Sequence, residues 1–329
     1  YGLYLTMFVL FVFICIWAPV SGKGDLFTVA NILRLLEQSS PRIVLALGVA
    51  GLILLGGTDL SVGRMVALAS VITGMLFYPG TNIISLFGQP PLDFTSWPNS
   101  VRILVALLLS IGLCAFFSAL AGFFSAKFKM HPFITTLSTQ LIIYGLIYYS
   151  TNGLATGGED NTIKNMLVPW LGGVFPSVIL WAVGATIVIW IIWNKTKFGK
   201  YMYAVGGNAE AASVSGISVF WVTLGVFIMA GVLYGLGGFL ELNRLGGGGS
   251  ALSGNGYELD AIAACVVGGI SFNGGIGKIS GAVAGVIIFQ ALTYALSFMG
   301  IDTNLQFILK GIIILVAVTL DSIKYIRKK

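Results

Sequence analysis

A chain that returns again and again to runs of about twenty apolar residues has few folds open to it, because a helix of that length crosses the ~30 Å hydrocarbon core of a bilayer. Such runs recur from LYLTMFVLFVFICIWAPV, residues 3–20, to LQFILKGIIILVAVTL, residues 305–320. They are too frequent for the first to be merely a secretion signal. Only 9% of the 329 residues are charged, against about 25% in an ordinary soluble domain. The expectation is an all-α, polytopic integral membrane bundle, with residues 1–329 forming one transmembrane domain. The sequence opens on Tyr1, so native residues are expected to precede it.

About ten spans account for the pattern, at 3–20, 42–57, 61–78, 101–125, 132–150, 176–194, 218–240, 259–270, 278–298 and 304–321. The net charge is +6, and its placement matters more than its size. Lys127 and Lys129, then Lys195, Lys197 and Lys200, then Lys324, Arg327, Lys328 and Lys329 form three clusters after spans 4, 6 and 10. Basic clusters beside spans stay in the cytoplasm, so the chain starts inside and its C-terminus is cytoplasmic. A count of nine or eleven spans would strand one cluster outside. Arg64 and Lys278 open spans 3 and 9, expected on the cytoplasmic side as well. Segment 26–40 fits an interfacial helix, and 79–100, 151–175 and 241–258 are expected as long external connections. The GGGGS within the last of these is read as native loop. The glycines of GVLYGLGG, 231–238, suit close helix packing.

The run LLGGTDLSVGRMVAL, 54–68, interrupts this pattern. Gly56 and Gly57 would end one helix, Asp59 or Ser61 would cap the next, and Arg64 would lie near enough to neutralise Asp59. Spans 3 and 8 are short and glycine-interrupted, so one of them could be broken or re-entrant, which survives at membrane depth only when buried or lining a wet cavity. A short echo joins GGTDLSVGR, 56–64, to GGISFNGGIGK, 268–278, suggesting a repeated local device.

No catalytic constellation is legible. His131, the one histidine, precedes Pro132 at the start of span 5 and suits an interfacial residue better than a catalyst. NGGIGKIS resembles a phosphate loop, but Phe272 stands where its first glycine belongs and Ile279 where its magnesium-binding hydroxyl belongs. Cys15, Cys114 and Cys265 lie far apart in apolar runs and read as small hydrophobes, leaving no metal site. Nucleic-acid binding would need a basic face on a soluble domain, and none is present. The chain is not expected to be an enzyme.

The cytoplasmic loop 195–217 contains a short helix with both ends marked. Asn208 caps it, Glu210 favours its first turn, Ala211 and Ala212 propagate it, and Gly216 can take the left-handed stop. On these residues alone it is either a docking helix for a partner or a surface connector.

Four ordered segments carry a family resemblance: GGTDLSVG, HPFITTLST, KTKFGKYMYAVGGNAEAASVSGI and YELDAIAACVVGGISFNGGIG. The chain resembles the membrane-spanning permease of ATP-binding cassette (ABC) sugar importers, in the branch serving ribose, xylose and galactose. The resemblance covers nearly the whole chain. QSSPRIVLALGVAGLILLGGTDLSVGR, WNKTKFGK, AACVVGG and LDSIKYIRKK bring it closest to the galactose type, while the external connections look less similar. The resemblance implies an inner-membrane subunit, two copies per complex, with a sugar pathway between them. It implies two cytoplasmic ATPase subunits of tandem-cassette type, which hold ATP and magnesium, and an external sugar-binding protein. Carried over, 206–216 becomes the coupling helix, with Gly207, Asn208, Glu210, Ala211, Ala212 and Gly216 as its working positions.

Polar or aromatic residues inside spans are candidates for the pathway: Thr136, Gln140 and Tyr144 on span 5, Asn243 at the end of span 7, and Gln290 and Tyr294 on span 9. Each could equally serve a hydrogen bond between helices, worth about 0.6 kcal/mol. Lys310 in span 10 is either functional or snorkels to the external surface. The rival class is a channel or ion-coupled transporter, for which Asp59 and Lys310 are the available intramembrane charges.

Overall fold

Helix signals in the sequence become helices almost wherever an apolar run is flanked by a breaker. The computed structural model describes residues 25–77, 96–156, 169–246 and 248–326, with Phe11, Val12, Ile16, Trp17, Gly22, Phe94, Asn165 and Leu167 besides. Most of the expected span 3–20, with Cys15, and most of the connection 79–100 fall outside the described residues. The eleven helices among them are α1 (Val29–Leu54), α2 (Val62–Phe77), α3 (Asn99–Phe128), α4 (Pro132–Thr151), α5 (Val178–Lys195), α6 (Lys197–Gly207), α7 (Ala209–Val214), α8 (Val219–Leu245), α9 (Tyr257–Val267), α10 (Ile279–Phe298) and α11 (Thr303–Ile326). One small antiparallel hairpin, β1 (Trp170–Leu171) and β2 (Phe175–Pro176), lies between α4 and α5.

Among the described residues α3, α5, α8 and α10 are the four helices long and apolar enough to cross a membrane. They and α4 coincide with the expected spans 101–125, 176–194, 218–240, 278–298 and 132–150 to within a few residues. The starts and stops follow local chemistry. His131 accepts the Phe133 N–H at 3.3 Å with Pro132 at the first helical position of α4. Gly246, at φ +69°, closes α8 in the left-handed conformation that costs glycine no Cβ clash.

Two expectations are corrected. Segment 26–40 is no separate interfacial helix: Thr28 caps Asn31 at 3.2 Å and α1 runs unbroken through Pro41 to Leu54. Proline forfeits one backbone bond there, and the Ser39 and Ser40 hydroxyls bond the Leu35 and Leu36 carbonyls at 2.7 Å each just ahead of it. Likewise 241–258 is not all loop, because α8 continues to Leu245 and buries Glu241 and Asn243.

The core is organised around α8, which packs against α3, α1 and α2. Its glycines make the close approach that the sequence suggested. A Cβ on Gly235 would meet Ile111 Cα at 2.6 Å, one on Gly231 the Cys114 carbonyl at 2.6 Å, and one on Gly238 the Ala69 Cβ at 2.8 Å.

The decisive feature is depth. Cys114 of α3 bonds the Met65 carbonyl in the first turn of α2 at 3.4 Å, yet α3 continues from there to Phe128. Fourteen further residues at 1.5 Å each place the start of α2 about 21 Å from that end of α3. Helix α1 by contrast runs on to Leu54, and Leu60 N–H reaches the Thr136 hydroxyl on α4 at 3.2 Å. Residues 55–61 therefore climb back into the protein, and α2 begins midway. The same holds for α9. Asp260 in its first turn meets Arg42 at 2.8 Å, twelve residues or about 18 Å before the end of α1. Both spans suspected of being broken are short for this reason. Of their non-helical lead-ins, 55–61 keeps Gly57, Asp59 and Ser61 buried in protein, as irregular backbone at depth requires, whereas 248–256 buries Gly249 and Ala251 but leaves Leu252 exposed.

Candidate functional site

Helix α7 stands with most of its side chains exposed. Asn208 Oδ1 accepts the Ala211 N–H at 2.9 Å, Ser215 N–H returns to the Ala211 carbonyl at 3.1 Å, and Gly216 at φ +81° lets Ile217 N–H close on the Ala212 carbonyl at 3.0 Å. Both ends are thus capped as the residues suggested. Glu210 and Ala211 face outward, Val214 is 91% exposed, and Ala212 alone of the helix is buried. Immediately before it, α6 is amphipathic and docked: Met202 is buried, Tyr203 packs edge-on against Trp193, and the Tyr203 hydroxyl donates to the Gly277 carbonyl at 2.8 Å. Burial pushes the Tyr203 phenol above its ordinary value, which keeps it a neutral donor.

In the 55–61 lead-in, Gly56 takes φ +79°, and a Cβ on Gly57 would strike Pro132 Cγ at 2.8 Å. Asp59 is fully buried. Its Oδ1 accepts both the Ser61 N–H at 2.8 Å and the Ser61 hydroxyl at 2.6 Å, while Oδ2 has no hydrogen-bond partner. Asp59 thus shapes the turn before α2 through Ser61 instead of capping the helix itself. The Tyr234 hydroxyl of α8 is also buried without a partner. No bond between the two meets strict hydrogen-bond geometry, but they lie close enough to act on each other electrostatically and as a weak hydrogen-bonding pair.

Arg64 does not neutralise Asp59. Its guanidinium bonds the Ala251 carbonyl and, at 2.8 Å, Asn255 Oδ1, and it lies 5.2 Å from the Tyr144 ring. The reason is the depth of α2, which carries Arg64 to the segment 248–256. Gly63 beside it packs under Gly254 and the Glu258 carboxylate, so the N-terminal turns of α2 and α9 meet in the interior.

The six pathway candidates form two groups rather than one lining. Thr136, Gln140 and Tyr144 lie along α4, with Thr136 holding Leu60 and Tyr144 beneath Arg64. Gln290 and Tyr294 of α10 turn to α1, where Gln290 bonds Gln38 at 3.3 Å and Tyr294 bonds Asn31 at 3.0 Å. Asn243 spends its amide on Phe239 of its own helix, at 2.6 Å.

Between Gln290 and the break lies a network that hydropathy did not reveal. Glu241 is held by Arg244 at 2.9 Å and by the Tyr257 hydroxyl at 2.6 Å, and Arg42 lies 3.5 Å over the Tyr257 ring. Asp260 is shared between Arg42 at 2.8 Å and Lys310 at 3.0 Å. Lys310 therefore closes an interhelical ion pair instead of snorkelling. A cavity of about 10 Å³ remains among Arg42, Tyr257, Asp260 and Gln290, room for one water and no sugar. Arg42 and Glu241 could have been suspected as charges at the rims of spans. Their partners, in a network that spans α1, α8, α9 and α11, could not. Cys114 and Cys265 are buried and free, as small hydrophobes.

The chain matches the family model for the permease component of the branched-chain amino acid transport system over residues 31–318. It is 56% identical to the galactose/methyl galactoside import permease protein of Treponema pallidum, over the whole of this chain and 63% of that protein's length. It is 41% identical to the protein of the same name from Escherichia coli, over all of this chain and 95% of that one. The ribose import permease protein of Bacillus subtilis is 33% identical over 97% of this chain and 92% of its own. No solved structure matches.

Proposed function

The chain belongs to the permease-component family of branched-chain amino acid transport systems, and from that premise we propose that it is the membrane subunit of an ATP-driven importer of galactose or methyl galactoside. The observation that carries this is likeness across the whole chain, 56% and 41% identical to galactose/methyl galactoside import permeases against 33% for a ribose permease. In this reading about ten spans sit in the cytoplasmic membrane, the C-terminus is cytoplasmic, and two copies pair around the sugar route. An external binding protein delivers the sugar, and a tandem-cassette ATPase holds ATP and magnesium.

Helix α7 is the coupling helix. Its caps make it a rigid piece, and its exposed Glu210 and Val214 offer a charge and an apolar contact to the ATPase. Rigid short elements transmit domain motion without slack. The sugar is a neutral polyol that needs hydrogen bonds and aromatic faces but only weak retention. We assign these to Thr136, Gln140 and Tyr144 on α4, where Thr136 touches Leu60 and Tyr144 lies by Arg64, and to Gln290 and Tyr294 on α10, turned toward α1. Of the two charges available to an ion-coupled rival, Lys310 is consumed by its pair with Asp260, while Asp59 stays buried with one oxygen unpartnered. Reconstitution with the ATPase and binding protein tests the reading. ATP-dependent galactose uptake is expected; uptake without the ATPase, or a preference for ribose, would overturn it.

A further inference from the structure

The two glycine-rich turns that echo each other in the sequence do not serve two separate sites. They meet. Leu54, the last residue of α1, accepts the Gly275 N–H on its carbonyl at 2.8 Å. Gly206, in the last turn of α6, lies against that same carbonyl so tightly that any Cβ would strike it. Gly274 and Gly275 take φ of +78° and +70°. A Cβ on Gly274 would come within 2.5 Å of the Gly206 carbonyl and 3.0 Å of Gly56 N, and one on Gly275 within 2.7 Å of Gly207 Cα. The Tyr203–Gly277 bond flanks the contact. Three chain segments thus touch backbone to backbone, with no side chain between them to yield.

We infer that Gly206, Leu54 and Gly274–Gly275 form a rigid joint through which α7 moves α1 and the 271–277 turn as one piece, making Gly206 a positioning residue for coupling. This rests on α7 being the coupling helix. Packed contacts without slack shift between discrete arrangements instead of deforming continuously, so displacement of α7 reaches the end of α1 and the start of α10 undiminished. The joint also explains why glycines stand in pairs at 206–207 and 274–275: one backbone contact needs small residues on each side.

The test uses the full complex in proteoliposomes with its ATPase and binding protein. Gly206→Ala is expected to lower ATP-driven uptake by roughly tenfold and to remove stimulation of ATP hydrolysis by the loaded binding protein, while the ATPase still co-purifies. Gly112→Ala, where an added methyl meets nothing within 4 Å, should transport normally. Wild-type uptake by Gly206→Ala overturns the joint, as does an equal defect in Gly112→Ala. In the unmutated complex, hydrogen exchange across 271–278 should be the same with and without vanadate-trapped nucleotide. Exchange that rises on trapping shows the joint opening and also overturns it. Val214→Asp separates the premise from the inference. If the ATPase still binds that variant, the coupling assignment of α7 fails and the joint with it. If binding is lost while Gly206→Ala transports normally, the joint alone fails.

Discussion

Replacing Tyr234 by Phe should stabilise this protein, against the usual direction of core substitutions. The Tyr234 hydroxyl is buried without a hydrogen-bond partner, and such a group costs about 1–3 kcal/mol. The ring itself is firmly held, since a Cβ on Gly48 would come within 2.6 Å of its Cε1. Phenylalanine keeps that packing and loses only the stranded oxygen, at the expense of a void smaller than a methyl group. A net gain of about 1 kcal/mol follows, or about 1–2 °C in midpoint for 329 residues. Tyr234→Ala, which empties the site, should lose about 3–5 kcal/mol. Thermal unfolding in detergent can be followed by a thiol-reactive dye, because Cys114 and Cys265 are buried in the folded protein and react only once it opens. A midpoint for Tyr234→Phe below that of the parent would refute the reasoning, since it would mean that the hydroxyl is bonded to Asp59 in the resting fold.

Asp59→Asn keeps an acceptor for both Ser61 bonds and should cost under about 0.5 kcal/mol, whereas Asp59→Ala loses both and should cost about 1–2 kcal/mol by the same unfolding assay. Asp260→Asn should destabilise by about 3 kcal/mol, because Arg42 and Lys310 both lean on that carboxylate. Lys310→Met should cost less than half as much, leaving Arg42 as partner; equal losses would show that the acid is not shared. Glu210→Arg, on the exposed face of α7, should leave the unfolding midpoint within the change of about 0.5 kcal/mol usual for surface sites and yet abolish ATP-driven uptake in vesicles.

Much of this architecture is legible from residues alone, and the limit has a physical cause. The long helices α3, α5, α8 and α10 announce themselves because their apolar runs end at Pro, Gly or a basic cluster. Helix α7 does so because Asn208 and Gly216 mark it from both sides. Depth is different. Gly56, Asp59 and Arg64 look like residues at a water boundary, and hydropathy has no way to say that the chain re-enters the protein there. What holds Arg64 inside is Ala251 and Asn255, and what holds Glu241 is Tyr257, Arg244 and, at 3.9 Å, Arg42. Such partners are set by tertiary packing, which a periodicity cannot carry. The pathway candidates suffered likewise: Asn243 has the right chemistry, but its amide is spent on its own helix.

The meeting of Arg64 with residue 251 has a consequence for how the protein is made. The two positions are 187 residues apart in the chain. At a synthesis rate of 5–20 residues per second, the segment carrying Arg64 waits roughly 10–40 s before its permanent partner leaves the ribosome. A guanidinium cannot rest unpaired in hydrocarbon for that time without cost. Residues 55–64 must therefore be sheltered at the insertion machinery, or held at the bilayer surface, and drawn inward only when α8 and the segment after it arrive. The break in the third span is, in that sense, the last part of the early chain to be put in place.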